Sequence, residues 1–461
     1  MRYYFIGAGG IGMANLVRYF LSKGAEVAGY DRVRSELCRR LEEEGAKIVY
    51  DDDPALIPPQ FRDPAQTEVI FTPAIPADNR ILSFFREGGF SMHKRAWVLG
   101  EITRSLKGIC VAGSHGKTTT SSMTAWIMAQ TPKGANAFLG GILRNVDSNL
   151  IIAPESDYAV IEADEYDRSF HQLSPWIGVV TSADPDHLDI YGDEEHYLEA
   201  FSIFTSLIRP GGALLLHTGL KVKPDLQAGV RLFTYSGGSE GDWHAENITF
   251  GDGELHFDLT GPDGYRIERI NLGVPVEINV DNAVAAGAAA HLAGASKEEI
   301  KRGLETFKGA KRRFEILLRG PKDGARAVLI DDYAHSPAEI EASIKSIRKL
   351  YPEGRLTVVF QPHLYTRTRD FAPEFAEALS HADHTILTEI YPARELPIPG
   401  VSSDIIRRGM TAPVSLIERK DLLNTIKITN FDILITLGAA DLDTLLPEIV
   451  EILKRDVETG S

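Results

Sequence analysis

The segment GICVAGSHGKTTT (108–120) limits this chain more than any other stretch of it. Residues 108–112 are small and apolar and read as a buried strand. Gly113-Ser114-His115-Gly116-Lys117-Thr118-Thr119 then turns straight into a helix. A glycine-rich turn between strand and helix aims several backbone amides and the positive helix N-terminus at one point, and that geometry holds a phosphate. Lys117 adds a cation for the β- and γ-phosphates, and the Thr118 hydroxyl reaches a magnesium ion. Only two residues separate Gly113 from Gly116, and Val111 stands where the usual first glycine would be, so the loop is shorter than the common one.

Around it the chain alternates strand and helix patterns, which predicts parallel sheets covered by helices. At 461 residues, about three domains of ordinary size are expected. The first, 1–95, opens with a strand over 3–6, a glycine turn, a helix over 15–23 and a strand over 26–30. The second, 96–310, holds the phosphate loop, strands over 158–161 and 177–181, a hairpin region at 250–272 with turns at Asp252-Gly253 and Asp263-Gly264, and helices over 283–292 and 297–307. The third, 311–461, alternates again, with strands over 327–330, 356–360, 385–387 and 432–437 and helices over 338–350 and 373–379. The expected class is α/β in three domains: an N-terminal Rossmann-like domain, a central mixed sheet of the P-loop ATPase type with a small antiparallel part, and a C-terminal Rossmann-like domain.

Further polar clusters fall at strand ends, where open α/β sheets gather their ligands. Gly7, Gly9 and Gly12, with Asp31 nineteen residues on, match the dinucleotide fingerprint. Its physical content is a diphosphate on a helix N-terminus and an acid near a ribose or base, so any nucleotide diphosphate satisfies it. Glu162 ends an apolar run and is followed by Ala163-Asp164-Glu165-Tyr166-Asp167. Such a carboxylate beside a phosphate loop suits Mg²⁺, although acid clusters also form plain solvated faces. His187, within Asp184-Pro185-Asp186-His187-Leu188-Asp189, suits either a metal or a buried hydrogen bond. Asp331 to Ser336 and Gln361 to Arg369 bring His, Asp and Arg together, which fits a small zwitterion or carboxylate better than an apolar ligand.

The chain resembles the Mur ligase family, the ATP-dependent amide-forming ligases of peptidoglycan synthesis. GAGGIGM (7–13), GSHGKTTT (113–120), EADEYDRSF (162–170), DHLD (186–189), DDYAH (331–335), FQPHLYTRTRD (360–370) and YPARELPIPG (391–400) carry the likeness in this order. FQPHLYTRTRD points to the alanine-adding branch. The resemblance implies that ATP phosphorylates the lactyl carboxylate of UDP-N-acetylmuramate and that L-alanine attacks the acyl phosphate. It implies ATP on Gly113 to Thr119, with Asn279 and Asn282 toward the adenine. Thr118, Glu162 and His187 become ligands of Mg²⁺ (or Mn²⁺), Lys117 the cation on the transferring phosphoryl group, and Arg313 and Asp332 nucleotide-facing residues of the third domain. Tyr333, His335 and Arg367 then line the amino-acid site, while the UDP diphosphate lies on Gly9, Gly10, Ile11, Gly12 and Met13 with Asp31 near the uridine. Three positions depart from the family pattern: Ile278 replaces a histidine, Ser336 the second histidine of a pair, and Leu364 an arginine of some members. The lysine that other branches carbamylate has no counterpart, since no lysine occurs between His187 and Lys221.

Composition fits this expectation. Forty-nine Lys and Arg stand against 65 Asp and Glu, a net charge of −16, which argues against nucleic acid as partner. Cys38 and Cys110 cannot build a disulfide framework. The N-terminus runs directly into the glycine turn, and no apolar stretch approaches the roughly 18 residues of a spanning helix. A cytoplasmic enzyme without membrane contact is expected, as a monomer or weak homodimer. Two other readings stand beside it: a related ligase adding a preformed peptide to the same sugar nucleotide, and an NAD-dependent oxidoreductase, which follows from the N-terminal glycines alone.

Overall fold

A computed structural model describes residues 2–72, 75–185, 188–319, 328–393 and 395–459. The N-terminal sheet has strands β1 (Arg2–Ile6), β2 (Glu26–Tyr30), β3 (Lys47–Val49), β4 (Thr67–Phe71) and β5 (Ser91–Lys94) in the order β3-β2-β1-β4-β5. Every pairing in it is parallel. The chain reverses its direction of travel across the sheet between β1 and β4, and such a switch point opens a crevice at the strands' carboxyl ends. β1 leads into the glycine turn there. The helix that follows, Ile11–Ser22, starts four residues before its expected position, because Gly10 serves as its extended N-cap and Gly12 lies inside it.

The central sheet comprises β6 (Lys107–Ala112), β7 (Asn136–Leu143), β8 (Ser148–Ile151), β9 (Tyr158–Glu162), β10 (Ile177–Val180), β11 (Ala213–His217) and β12 (Arg231–Tyr235). Its order is β12-β11-β10-β6-β9-β7-β8, parallel except for the antiparallel β7–β8 pair. A small sheet follows, in the order β13-β14-β15 (His244–Gly251, Glu254–Gly261, Tyr265–Asn271), as the hairpin region predicts. The alanine-rich helix Ile278–Leu292 begins earlier than its expected start, and its small side chains from Ala283 to Ala290 are buried. The last sheet contains β16 (Glu315–Arg319), β17 (Val328–Asp332), β18 (Leu356–Phe360), β19 (His384–Leu387), β20 (Val414–Leu416) and β21 (Ile433–Leu437) in the order β16-β17-β21-β18-β19-β20. Only β16 runs antiparallel to its neighbour.

Contacts group the described chain into two compact units: residues 1–246, 259–268 and 281–305 in one, and 247–258, 269–280 and 306–461 in the other. Within the first unit one apolar core runs from the N-terminal sheet into the central one, joining Phe5, Leu16 and Ile70 to Cys110, Phe138 and Ile161. Two asparagines fix this junction. Asn15 Nδ2 donates to the Asn149 carbonyl at 3.0 Å, and Asn149 Nδ2 donates back to the Ile11 carbonyl at 3.4 Å. Buried amides are costly unless paired, so this reciprocal arrangement sets the glycine turn in one orientation. Both cysteines are free and buried. Among the described residues, no helix is long and apolar enough to cross a membrane.

Candidate functional site

Three adjacent strands, β10, β6 and β9, build the central site. Their register pairs Val111 with Glu162 and Ala112 with Val180, so the three strand ends reach one edge together. Leaving β6, Gly113 (φ +147°) and Gly116 (φ +80°) adopt left-handed backbone that other residues resist. A side chain at Gly113 would collide with the Thr181 hydroxyl, and one at Gly116 would come within 2.8 Å of Asn282 Oδ1. The loop is braced from β10: the His115 amide donates to Ser182 Oγ (2.7 Å), the Thr181 hydroxyl to the His115 carbonyl (2.5 Å), and the Ser114 hydroxyl to the Asp184 carbonyl (2.6 Å). The helix Lys117–Met128 then starts without a side-chain cap and without an acid in its first turn, which leaves its N-terminal amides free for an anion.

Lys117 and Thr118 open this helix, with Thr119 following in the same turn. Lys117 is 14% exposed and its ammonium pairs with Glu165, itself 2% exposed, at 2.7 Å; it also touches the Gly113 carbonyl. Burial raises the Glu165 carboxyl above its ordinary value, opposed by the charge and hydrogen bond of Lys117. Tyr191 donates its hydroxyl to the Glu165 carbonyl (2.5 Å), and Asp167 and Arg168 both take left-handed backbone just beyond. The acid run after Glu162 is therefore a shaped turn that carries Glu165 into the loop. Sequence alone does not distinguish Glu165, because a string of acids looks the same on a solvated face.

The Thr118 hydroxyl donates to Glu162 Oε1 at 3.0 Å, and Glu162 Oε2 accepts the Gly140 amide at 2.9 Å. A side chain at 140 would overlap the Glu162 carboxylate. One hydroxyl and one carboxylate in contact, both oxygen, suit a small hard cation that keeps waters and phosphate oxygens as its other ligands. His187, the expected third metal ligand, lies outside the described residues. No group of three or more His, Cys, Asp or Glu side chains able to hold a metal occurs among the described ones. Asn282 joins the site through Thr120, whose hydroxyl donates to Asn282 Oδ1 at 3.0 Å. Asn279 belongs to the other contact unit, where its amide donates to the Val274 carbonyl at 3.2 Å. Ile278, the departure beside it, is 61% exposed.

At the N-terminal turn, Asp31 is engaged with the backbone: Oδ2 accepts the Gly9 amide (2.8 Å) and Oδ1 the Val33 amide (3.1 Å). It shapes the turn first. Met13 is buried in the core, so only its backbone can meet a ligand, whereas Ile11 is 55% exposed.

In the second unit, β17, β21 and β18 are neighbours, and Leu437 pairs with both Asp332 and Phe360. Asp332 accepts from the Ser343 hydroxyl (2.5 Å), and burial raises its carboxyl. Beside it Asp331, 1% exposed, accepts from Thr436 (2.6 Å) and lies 3.4 Å from Arg312 Nε; burial pushes its carboxyl up to about 6. The guanidinium carbons of Arg312 and Arg313 stand 5.1 and 5.6 Å from the Tyr333 ring centre. Tyr333 and His335 meet edge to face at 5.3 Å. Ser336 finds its physical reason here. With Glu339 it forms a capping box on the helix Pro337–Leu350, and Glu339 also accepts the His335 amide at 3.0 Å, which pins that histidine. Among the described residues, the buried Nη1 of Arg367 and Nδ1 of His363 have no hydrogen-bond partner. Burial lowers the His363 pKa, with Arg367 and His335 adding to the effect. His363, which lies within FQPHLYTRTRD, is a further candidate.

Three family descriptions fit the chain in sequence order: "Mur ligase family, catalytic domain" at residues 2–107, "Mur ligase middle domain" at 111–290, and "Mur ligase, glutamate ligase domain" at 312–440. The UDP-N-acetylmuramate–L-alanine ligase of Phocaeicola vulgatus is 54% identical over 98% of this chain and 98% of its own length. That of Parabacteroides distasonis is 52% identical over 98% and 97%. Among solved structures, the UDP-N-acetylmuramate–alanine ligase of Thermotoga maritima superposes with a TM-score of 0.76 at 26% identity, covering 100% of this chain and 99% of that one. A murein peptide ligase of Psychrobacter arcticus shares the fold, with a TM-score of 0.63 at 21% identity and 98% coverage of each chain.

Proposed function

Because the chain belongs to the Mur ligase family, we propose that it joins L-alanine to UDP-N-acetylmuramate at the expense of ATP. The observation that carries this is full-length identity of 54% to a relative of that name, in a chain whose phosphate loop, Lys117, Thr118 and Glu162 meet at one sheet edge. The reaction divides among the residues as follows. The amides of 113–119 and the helix N-terminus bind the β- and γ-phosphates. Lys117 leaves Glu165 to neutralise the γ-phosphoryl group as a lactyl carboxylate oxygen attacks phosphorus and the bond to ADP breaks. The alanine nitrogen then attacks the acyl carbon, phosphate departs, and the amine proton is lost. Thr118 and Glu162 are the residues that would hold Mg²⁺, which when bound offsets phosphate charge.

In the C-terminal unit, Tyr333, His335 and Arg367 are assigned to the amino acid, and Arg313 and Asp332 to the nucleotide. Gly9 to Gly12 and the Met13 backbone are assigned to the UDP diphosphate, and Asn279 and Asn282 to the adenine side of ATP. The proposed domains remain 1–95, 96–310 and 311–461, in a cytoplasmic monomer or weak homodimer. An NAD-dependent reading accounts for the N-terminal turn but leaves the contact between Thr118 and Glu162 without a role. A phosphate-release assay tests the proposal: release should require UDP-N-acetylmuramate, ATP, Mg²⁺ and L-alanine together. Release that is indifferent to L-alanine, or that responds only to a peptide, would overturn it.

A further inference from the structure

The N-terminal sheet carries one side chain that neither the motifs nor the family likeness employs. Arg95 directly follows β5 and is the first residue of the helix Arg95–Ser105. In a parallel sheet β5 ends at the same edge as β1, so Arg95 emerges where the glycine turn does. The two meet there. A Cβ built on Gly12 would lie 2.5 Å from Arg95 Nε and 2.7 Å from its guanidinium carbon. The guanidinium therefore lies against the first turn of the helix Ile11–Ser22, and glycine at 12 leaves it room.

Among the described residues no hydrogen bond or ion pair answers this group. Arg95 Nε is closed off from solvent and has no hydrogen-bond partner among the described residues. Asp164 and Glu162 attract the guanidinium, yet it forms no ion pair or hydrogen bond among the described residues, and burial lowers its pKa from the ordinary arginine value. Two further positive poles converge with it. The helix Ile11–Ser22 has no side-chain cap and no acid in its first turn, and the helix Arg95–Ser105 has neither as well. A helix N-terminus carries roughly half a positive charge. Two such ends and a half-buried guanidinium whose Nε is shut off from solvent favour an anion among them, and a fork of N–H donors matches phosphate oxygens.

We infer that Arg95 is a substrate-binding residue that grips the diphosphate of the sugar nucleotide beside the glycine-turn amides. The inference rests on the functional reading above, which places that diphosphate on the turn, and adds the residue that reads its charge. Arg95 takes no part in the transfer of the phosphoryl group. It holds one reactant, so its loss should act on KM for the sugar nucleotide and leave kcat at saturation nearly unchanged.

The test is calorimetric titration of wild type, Arg95→Ala and Arg95→Lys with uridine, UDP, UDP-N-acetylmuramate and ATP, paired with the KM and kcat of each. Losing a charge-assisted contact of this kind should weaken UDP and UDP-N-acetylmuramate by about 10- to 100-fold in Arg95→Ala. Uridine and ATP should bind as before, and Arg95→Lys should recover part of the loss. If Arg95→Ala does not fold, Arg95→Lys alone still decides the matter, because a point charge cannot replace the fork and UDP must then bind several-fold more weakly. UDP binding equal to wild type in the folded variants, or a loss shared by ATP, would overturn the assignment of Arg95 while leaving the ligase reading intact. Failure of the wild type to bind UDP-N-acetylmuramate would overturn both.

Discussion

Replacing Lys117 with alanine should separate two roles that one ammonium combines. Its partner Glu165 is 2% exposed and already has a raised carboxyl pKa, so the substitution leaves a buried acid without compensation. Breaking a buried pair in this way costs about 3–5 kcal/mol, and the partial exposure of Lys117 at 14% brings the expectation to the low end, about 3 kcal/mol near neutral pH. The loss should shrink as pH falls, because Glu165 then takes up a proton and no buried charge remains. Activity should drop at every pH by at least about 100-fold, the scale for removing one preorganised charge from a transferring group. The double variant Lys117→Ala with Glu165→Gln removes the stranded charge and should regain most of the stability and none of the turnover. Urea unfolding at pH 5.5 and 7.5, with phosphate release on the same samples, measures both. Recovery of turnover to a tenth of wild type in the double variant, or a single variant as stable as wild type, would refute the reasoning.

Other predictions concern single positions. Asp331 has its carboxyl pushed up to about 6 from 3.8, so the folded chain holds a proton that the unfolded chain has released between those values. Its contribution to stability therefore declines as pH rises from about 4 to 6, by about 3 kcal/mol for the two-unit shift, and Asp331→Asn should flatten that decline in urea unfolding across the window. Gly12→Ala suits a helix but displaces the Arg95 guanidinium, so thermal unfolding should move little while KM for UDP-N-acetylmuramate rises. Gly140→Ala drives a methyl group into the Glu162 carboxylate, and the Mg²⁺ concentration needed for half-maximal phosphate release should increase.

The residue pattern disclosed the strands that are apolar on both faces. Runs such as 108–112, 158–161, 177–181 and 356–360 have no other stable home, and each lies within a residue of its observed bounds. Strands held by their neighbours stayed hidden. β5, Ser91–Lys94, has no apolar alternation and forms because the edge of β4 receives it in register from Glu68 to Phe71. Helix starts shifted earlier wherever glycine or isoleucine at the first turn disguised them, as at Ile11 and Ile278. The site divides in the same way. The glycine turn stands out through its spacing between strand and helix, and Glu162 as the acid that closes an apolar run, a position that a solvated face shares. Glu165 and Arg95 do not, because an acid among acids and a lone arginine acquire meaning only from what lies across the fold.

The pairing of Val111 with Glu162 and of Ala112 with Val180 means that ladder hydrogen bonds, and not side chains, set the spacing of the strand ends at the candidate site. Inside those strands one aliphatic residue can replace another with the edge of the candidate site unmoved. Adding or deleting one residue in any of them would slide its end by about 3.3 Å and turn its side chains to the opposite face. Lineages descended from this protein should therefore be free to drift in spelling along β6, β9 and β10 and bound to conserve their length.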